Sequence, residues 1–259
     1  MLMTEPSNST IFRPQARVVG YTAPIRVMVA NAKGGCGKTT LATNLASYFA
    51  QQHQTALIDY DPQASAMDWL KVRSPYLPNI EGVAAFKKHQ PHVSTRTWSL
   101  RVAANTSRVV IDTPAGLHSN ELSDMIQHAD VLLIPVIPSA IDIRAATRFI
   151  SDVMLSRPYR LNPRPIAVVA NRVRKNTLIY SKLERFLNSL QIPFVTSLRD
   201  TQFYVRASEH GSGIVDLDDA RERDGQDWSP LLDWLDSITC QLTAANDEHK
   251  ALSSAPRQE

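Results

Sequence analysis

The sequence predicts an α/β domain built on a doubly wound, mostly parallel sheet flanked by helices. Short continuous runs of β-branched and aliphatic residues recur along the chain, as strands buried on both faces require. Between them lie stretches whose apolar residues fall three and four positions apart, the spacing of a helix with one buried face. The two kinds of segment alternate, which is the order of a parallel sheet joined by crossover helices.

Residues 1–24 are polar, punctuated by Pro and without period, and read as a flexible arm. The domain is expected over 25–245, with 246–259 as a flexible tail. Its first strand is Ile25–Ala30, and Leu41, Leu45 and Phe49 mark the helix that follows. Ala56–Ile58 is the second strand. Arg73–Arg108, with Pro75, Pro78 and Pro91 and no period, reads as a loop-rich excursion. Val109–Ile111, Val131–Val136 and Ile166–Ala170 supply further strands. Ile141, Ala145, Phe149 and Val153 share one helical face, as do Ile179, Leu183, Phe186 and Leu190. Leu231, Leu232, Leu235, Ile238 and Leu242 predict a last helix starting after Ser229-Pro230, where Ser caps and Pro fits the first turn.

Composition excludes several classes. With 43% apolar and 20% charged residues the chain is not disordered throughout. Cys36 and Cys240 are its two cysteines, too few for a disulfide scaffold. No apolar run reaches about 18 residues, the length a membrane span needs. Glu5, Ser7, Asn8 and Pro14 do not make a signal peptide, so a reducing cytoplasm is expected. Lys and Arg number 28 and Asp and Glu 25, a net charge of +3. From Arg144 to Arg185, however, ten basic residues face two acidic ones, a local excess of +8, while the chain after Asp216 is largely acidic. Such a basic block is either a solvated face or the footprint of a polyanion.

Three of the nine glycines cluster at Gly34, Gly35 and Gly37, directly between the first strand and the first helix. A phosphate-binding loop needs that arrangement: glycines let successive N–H groups turn inward on an anion, and the helix N-terminus adds partial positive charge. Lys38 is placed to reach the β- and γ-phosphates, and Thr39 to bind Mg²⁺ through its hydroxyl. Gly34, Gly35, Cys36, Gly37, Lys38, Thr39 and Thr40 are the expected nucleotide cradle, with Cys36 filling the variable position. The position five before Gly37, usually glycine, is Ala32, and a second lysine, Lys33, stands at the front of the loop.

The block Lys33-Gly34-Gly35-Cys36-Gly37-Lys38-Thr39-Thr40 resembles the deviant Walker A motif of the ParA/MinD family of P-loop ATPases. Leu57–Gln63 resembles the family's second acidic motif, and Val109–Gly116 its Walker B strand end. The resemblance covers Ile25 to Asp216 and implies hydrolysis of ATP with Mg²⁺. It implies that Lys33 crosses a dimer interface to the partner's phosphates and that Asp61 orients the attacking water. It places Asp59 and Asp112 around the metal and Asn171 against adenine. Nitrogenase iron protein shares this core, but two cysteines cannot supply its cluster.

Two output surfaces follow from the resemblance. ParA-like members bind DNA non-specifically through Lys and Arg, for which Arg174, Lys175, Arg199 and Arg206 are the candidates here; salt bridges to the acidic C-terminal region are the alternative role for Arg199 and Arg206. MinD-like members dock a basic amphipathic C-terminal helix on membrane, and Asp233, Asp236, Asp247 and Glu248 argue against that. With no helix-turn-helix in the arm, a small ParA-type protein is expected. Such a protein forms an ATP-dependent homodimer, associates with the nucleoid, and positions a plasmid, a chromosome or a protein assembly such as a carboxysome or chemoreceptor cluster. An adaptor protein stimulates its hydrolysis. A ligase or kinase on the same core is the remaining enzyme class, and it has no need of Lys33.

Overall fold

A computed structural model describes residues 23–86, 102–117, 119–174, 177–189 and 192–254. The apolar runs form strands β1 (Ile25–Val29), β2 (Thr55–Asp59), β4 (Arg108–Asp112), β5 (Val131–Val136) and β6 (Ile166–Val173), joined by β3 (Ile80–Ala84) and β7 (Phe194–Arg199). Their order in the sheet is β3-β2-β4-β1-β5-β6-β7, every pair parallel. The chain runs outward from β1 in both directions, so the crevice at the C-terminal end of β1 is the switch point where such folds bind ligands.

One face of the sheet carries α1 (Lys38–Ala50), α2 (Ser65–Lys71) and α8 (Asp218–Ser254), closing over Val27, Val29, Leu57, Val110, Leu133 and Leu198. The other carries α3 (Ser119–Gln127), α4 (Ala140–Leu155), α5 (Arg157–Leu161) and α6 (Leu178–Ser189), closing over Met28, Ile58, Ile111, Leu132, Ile134 and Val168. A short helix α7 (Phe203–Glu209) and a 3₁₀ turn (Ile214–Asp216) lead into α8. The central strands divide their buried residues between two cores, which explains their long apolar runs.

Several expectations need correction. Of the stretch Arg73–Arg108, residues 87–101 lie outside the described residues, and the described part contains β3, an edge strand in register with β2. α8 starts at Asp218, not after Pro230, which lies inside the helix. The packing of Trp228, Leu231 and Leu235 against β7 and α1 holds the helix together through the position where proline removes a hydrogen bond. Its backbone stays helical through Ser254, well into the expected tail, while residues 1–22 and 255–259 lie outside the described residues. The buried face of α4 is Asp142, Ala146, Phe149, Ile150 and Val153, leaving Ile141 62% exposed. Leu190 lies outside the described residues.

Candidate nucleotide site

The glycine loop leaves β1 at the switch point. Gly35 and Gly37 have φ of +77° and +90°, values that L side chains rarely adopt. A Cβ on Gly37 would also lie 2.1 Å from Asn171 Nδ2. Among the described residues, no acceptor meets the N–H groups of Gly34, Gly35, Cys36 and Gly37. They form a cradle of donors at the start of α1, suited to a polyphosphate.

Lys38 is buried, and its Nζ donates to the Lys33 carbonyl at 3.1 Å. Cys36 Sγ donates to the same carbonyl at 3.3 Å, and burial raises the thiol pKa, which makes Cys36 a packed loop residue. The Lys33 N–H donates to Asn31 Oδ1, while Asn31 Nδ2 donates to the Pro135 carbonyl and ties the loop to β5. Lys33 Nζ turns outward to Asp142 Oδ1, 3.4 Å away at the start of α4.

Thr39 donates to Asp112 Oδ2 at 2.7 Å. Asp112 is fully buried, and its Oδ1 has no hydrogen-bond partner. Burial pushes its pKa up to about 7; nearby Asp59 adds to the rise, and the Thr39 hydroxyl and Lys38 oppose it. An orphaned carboxylate oxygen beside a threonine hydroxyl fits a Mg²⁺ site, whose cation would restore the charged form.

Asp59 Oδ1 accepts the Asp61 N–H at 2.9 Å and its Oδ2 the Met67 N–H at 3.2 Å. Both oxygens organise the loop into α2, a structural task beside any place it has near the metal. Burial raises its pKa also. Asp61, half-buried, spends Oδ1 on the Gln63 N–H and its carbonyl on the Ala64 N–H. The Asp61 carboxylate thus sits at the end of β2, on the same sheet edge as Asp112.

Asn171 Nδ2 donates to the Cys36 carbonyl at 2.9 Å and its Oδ1 accepts the Arg172 N–H, with only 4% of the residue exposed. In this structure it buttresses the phosphate loop through Cys36. A register shift in β6 and the positive φ of Arg172 (52°) aim it there.

Three of the four DNA candidates are paired with acids of their own chain. Arg174 meets Asp200 at 2.7 Å, Arg199 meets Asp224 and Asp227 at 2.8 Å each, and Arg206 binds Asp219 through both oxygens. Lys175 lies outside the described residues. The acidic start of α8 neutralises Arg199 and Arg206, which is the alternative role the sequence allows them. The unpaired cations lie on the opposite face: among the described residues, no carboxylate is within ion-pair distance of exposed Arg144, Arg148, Arg157, Arg160, Arg172, Lys182 or Arg185.

The sequence profile of the family described as the CobQ/CobB/MinD/ParA nucleotide binding domain matches residues 27–214. A relative from Halothiobacillus neapolitanus, named maintenance of carboxysome distribution protein A, is 30% identical over 77% of this chain and 90% of its own length. A relative of the same name from Gloeobacter kilaueensis is 33% identical over 74% of this chain and 84% of its own. Among solved structures, the MinD cell division protein of Aquifex aeolicus superposes with a TM-score of 0.63 at 19% identity, covering 82% of this chain and 97% of that one. That likeness is one of fold.

Proposed function

The chain belongs to the CobQ/CobB/MinD/ParA nucleotide-binding family, and on that premise we propose that it is a ParA-like ATPase that positions cargo on DNA. ATP and Mg²⁺ bind at the loop from Gly34 to Thr40, with Thr39 and Asp112 around the metal and Lys38 on the phosphates. Mg²⁺ supplies charge neutralisation on the β- and γ-phosphates. Asp61 orients the attacking water. Lys33 completes the site of a second copy, so ATP is held at the seam of a homodimer. The observation that supports this most is the direction of Lys33: its ammonium leaves its own cradle, donates nothing to it, and ends 36% exposed on Asp142. A lysine serving its own phosphates, as Lys38 does, has no reason to point there.

The two relatives named for carboxysome distribution support cargo positioning over biosynthesis. The cargo is a plasmid, a chromosome or a protein assembly such as a carboxysome, bound through an adaptor protein that stimulates hydrolysis, and the ATP-bound dimer sits on the nucleoid in the cytoplasm. The DNA surface is the layer of α4, α5 and α6, whose exposed cations meet no carboxylate among the described residues, and not Arg174, Arg199 and Arg206. A gel shift with ATP, with ADP and without nucleotide tests this. Binding that needs ATP and falls steeply with salt is expected; equal binding with ADP contradicts a nucleotide switch. ATP-dependent flotation with anionic liposomes, without DNA binding, would favour a MinD-like membrane role.

A further inference from the structure

Lys33 is held at three points. Asn31 Oδ1 accepts its N–H at 3.1 Å, Lys38 Nζ and Cys36 Sγ take its carbonyl, and Asp142 Oδ1 takes its ammonium. Asp142 is itself fixed. Its Oδ2 accepts the Ser139 hydroxyl at 2.6 Å, its N–H donates to the same hydroxyl, and its side chain is 10% exposed. The helix cap of α4 therefore sets a nearly buried carboxylate beside the loop. Among the described residues, Lys33 is the only cation it meets. Next to it, Ile141 stands 62% exposed on the rim.

We propose that Asp142 is a positioning residue that latches Lys33 within its own subunit and sets the threshold for ATP-driven dimerisation. The inference rests on the cross-subunit role proposed above for Lys33. An ammonium cannot salt-bridge Asp142 at full strength and neutralise the partner's phosphates at the same time. Each dimer must break two such contacts, and the latch keeps the subunit monomeric until partner and nucleotide are both present. The cap holds the carboxylate still, so the competition is set by the charge and not by the mobility of the helix end.

Sedimentation velocity of the full chain across a protein titration, with Mg²⁺ and AMPPNP, tests the latch. Asp142→Asn keeps the size of the side chain and removes its charge. A partly exposed pair of this kind shifts an equilibrium by up to about fivefold after solvent screening. With two broken per dimer, Asp142→Asn is expected to lower the concentration for half-dimerisation by about twofold to about twenty-fivefold. Asp142→Glu, which restores the charge, moves the threshold back towards wild type. Damage to the fold would raise the threshold, not lower it. If Asp142→Asn does not fold, Asp142→Gln, an ordinary third residue of a capping box, is read the same way. An unchanged or raised threshold in the neutral variant, or Glu behaving like Asn, overturns the latch. Lys33→Ala, run beside them, separates the two claims. If it dimerises like wild type, the cross-subunit role itself fails; if it does not dimerise while Asp142→Asn matches wild type, only the latch fails.

Discussion

Asp112 is the residue on which charge and function meet most sharply. It is buried beside Thr39 with one oxygen unpartnered and a pKa near 7. A carboxyl whose folded pKa is raised favours folding while protonated. Its contribution is full below the unfolded value near 4 and is lost as pH rises through about 7. Between about pH 4 and about pH 8 the nucleotide-free chain is therefore expected to lose stability relative to Asp112→Asn, by at most on the order of 4 kcal/mol. Urea unfolding of both proteins across that range measures the difference, and parallel curves would contradict the assignment. A cation bound there would restore the charged form that burial disfavours.

At the scale of elements, a buried polar node holds α1, α2 and the turn before α8 together. Arg73 donates to Asp216 at 2.9 Å and to the Gly211 carbonyl, with both charged side chains at most 5% exposed. Asp216 also accepts the Gly213 N–H and the Gln51 amide. Removing one partner strands a buried charge, so Asp216→Ala is expected to cost about 3–5 kcal/mol in denaturant unfolding. A loss below about 1 kcal/mol would mean that water already reaches the node. None of this was legible in the sequence, because Arg73 and Asp216 lie 143 positions apart. The five apolar strands were legible, since a strand buried on both faces leaves a continuous apolar run. β3 was not: Glu81 and Gly82 interrupt it at the sheet edge, where half-burial suffices. β7, the other edge strand, was missed for the same reason, since adjacent Thr196 and Ser197 break its apolar run. α8 was legible only from Pro230 onward, because its first turns are polar and its anchor, Trp228, is a single residue.

At the scale of the whole molecule, charge is divided between the two faces of the sheet. The α8 face carries acids that take up Arg199 and Arg206, and the α4–α6 face carries exposed cations that, among the described residues, meet no carboxylate. The basic block was visible in the sequence, but which of its members are spent on neighbours was not, since ion pairing depends on long-range packing. The loop hydrogen bonds of Asp59 and Asn171 were likewise illegible, although the residues were recognisable by motif and position. Replacing Arg148, Arg157 and Arg160 by Glu is expected to weaken DNA binding and to flatten its salt dependence. The log–log slope should fall by about one unit for each phosphate that the variant no longer neutralises. Arg206→Ala is expected to leave that slope unchanged. Quantitative binding over a salt series distinguishes the two faces, and the opposite pattern would return the DNA surface to α7 and α8.

The cross-subunit role of Lys33 is tested most directly by mixing two inactive variants. Lys33→Ala keeps Asp61 but lends its partner no lysine, and Asp61→Ala lends the lysine but cannot orient water. In a mixed dimer, the Lys33→Ala subunit receives the missing ammonium from its partner and regains a complete site. ATP turnover that is negligible for each variant alone and reappears on mixing is the predicted result. Turnover that stays absent in a mixture shown to form mixed dimers, or full turnover by Lys33→Ala alone, would contradict it.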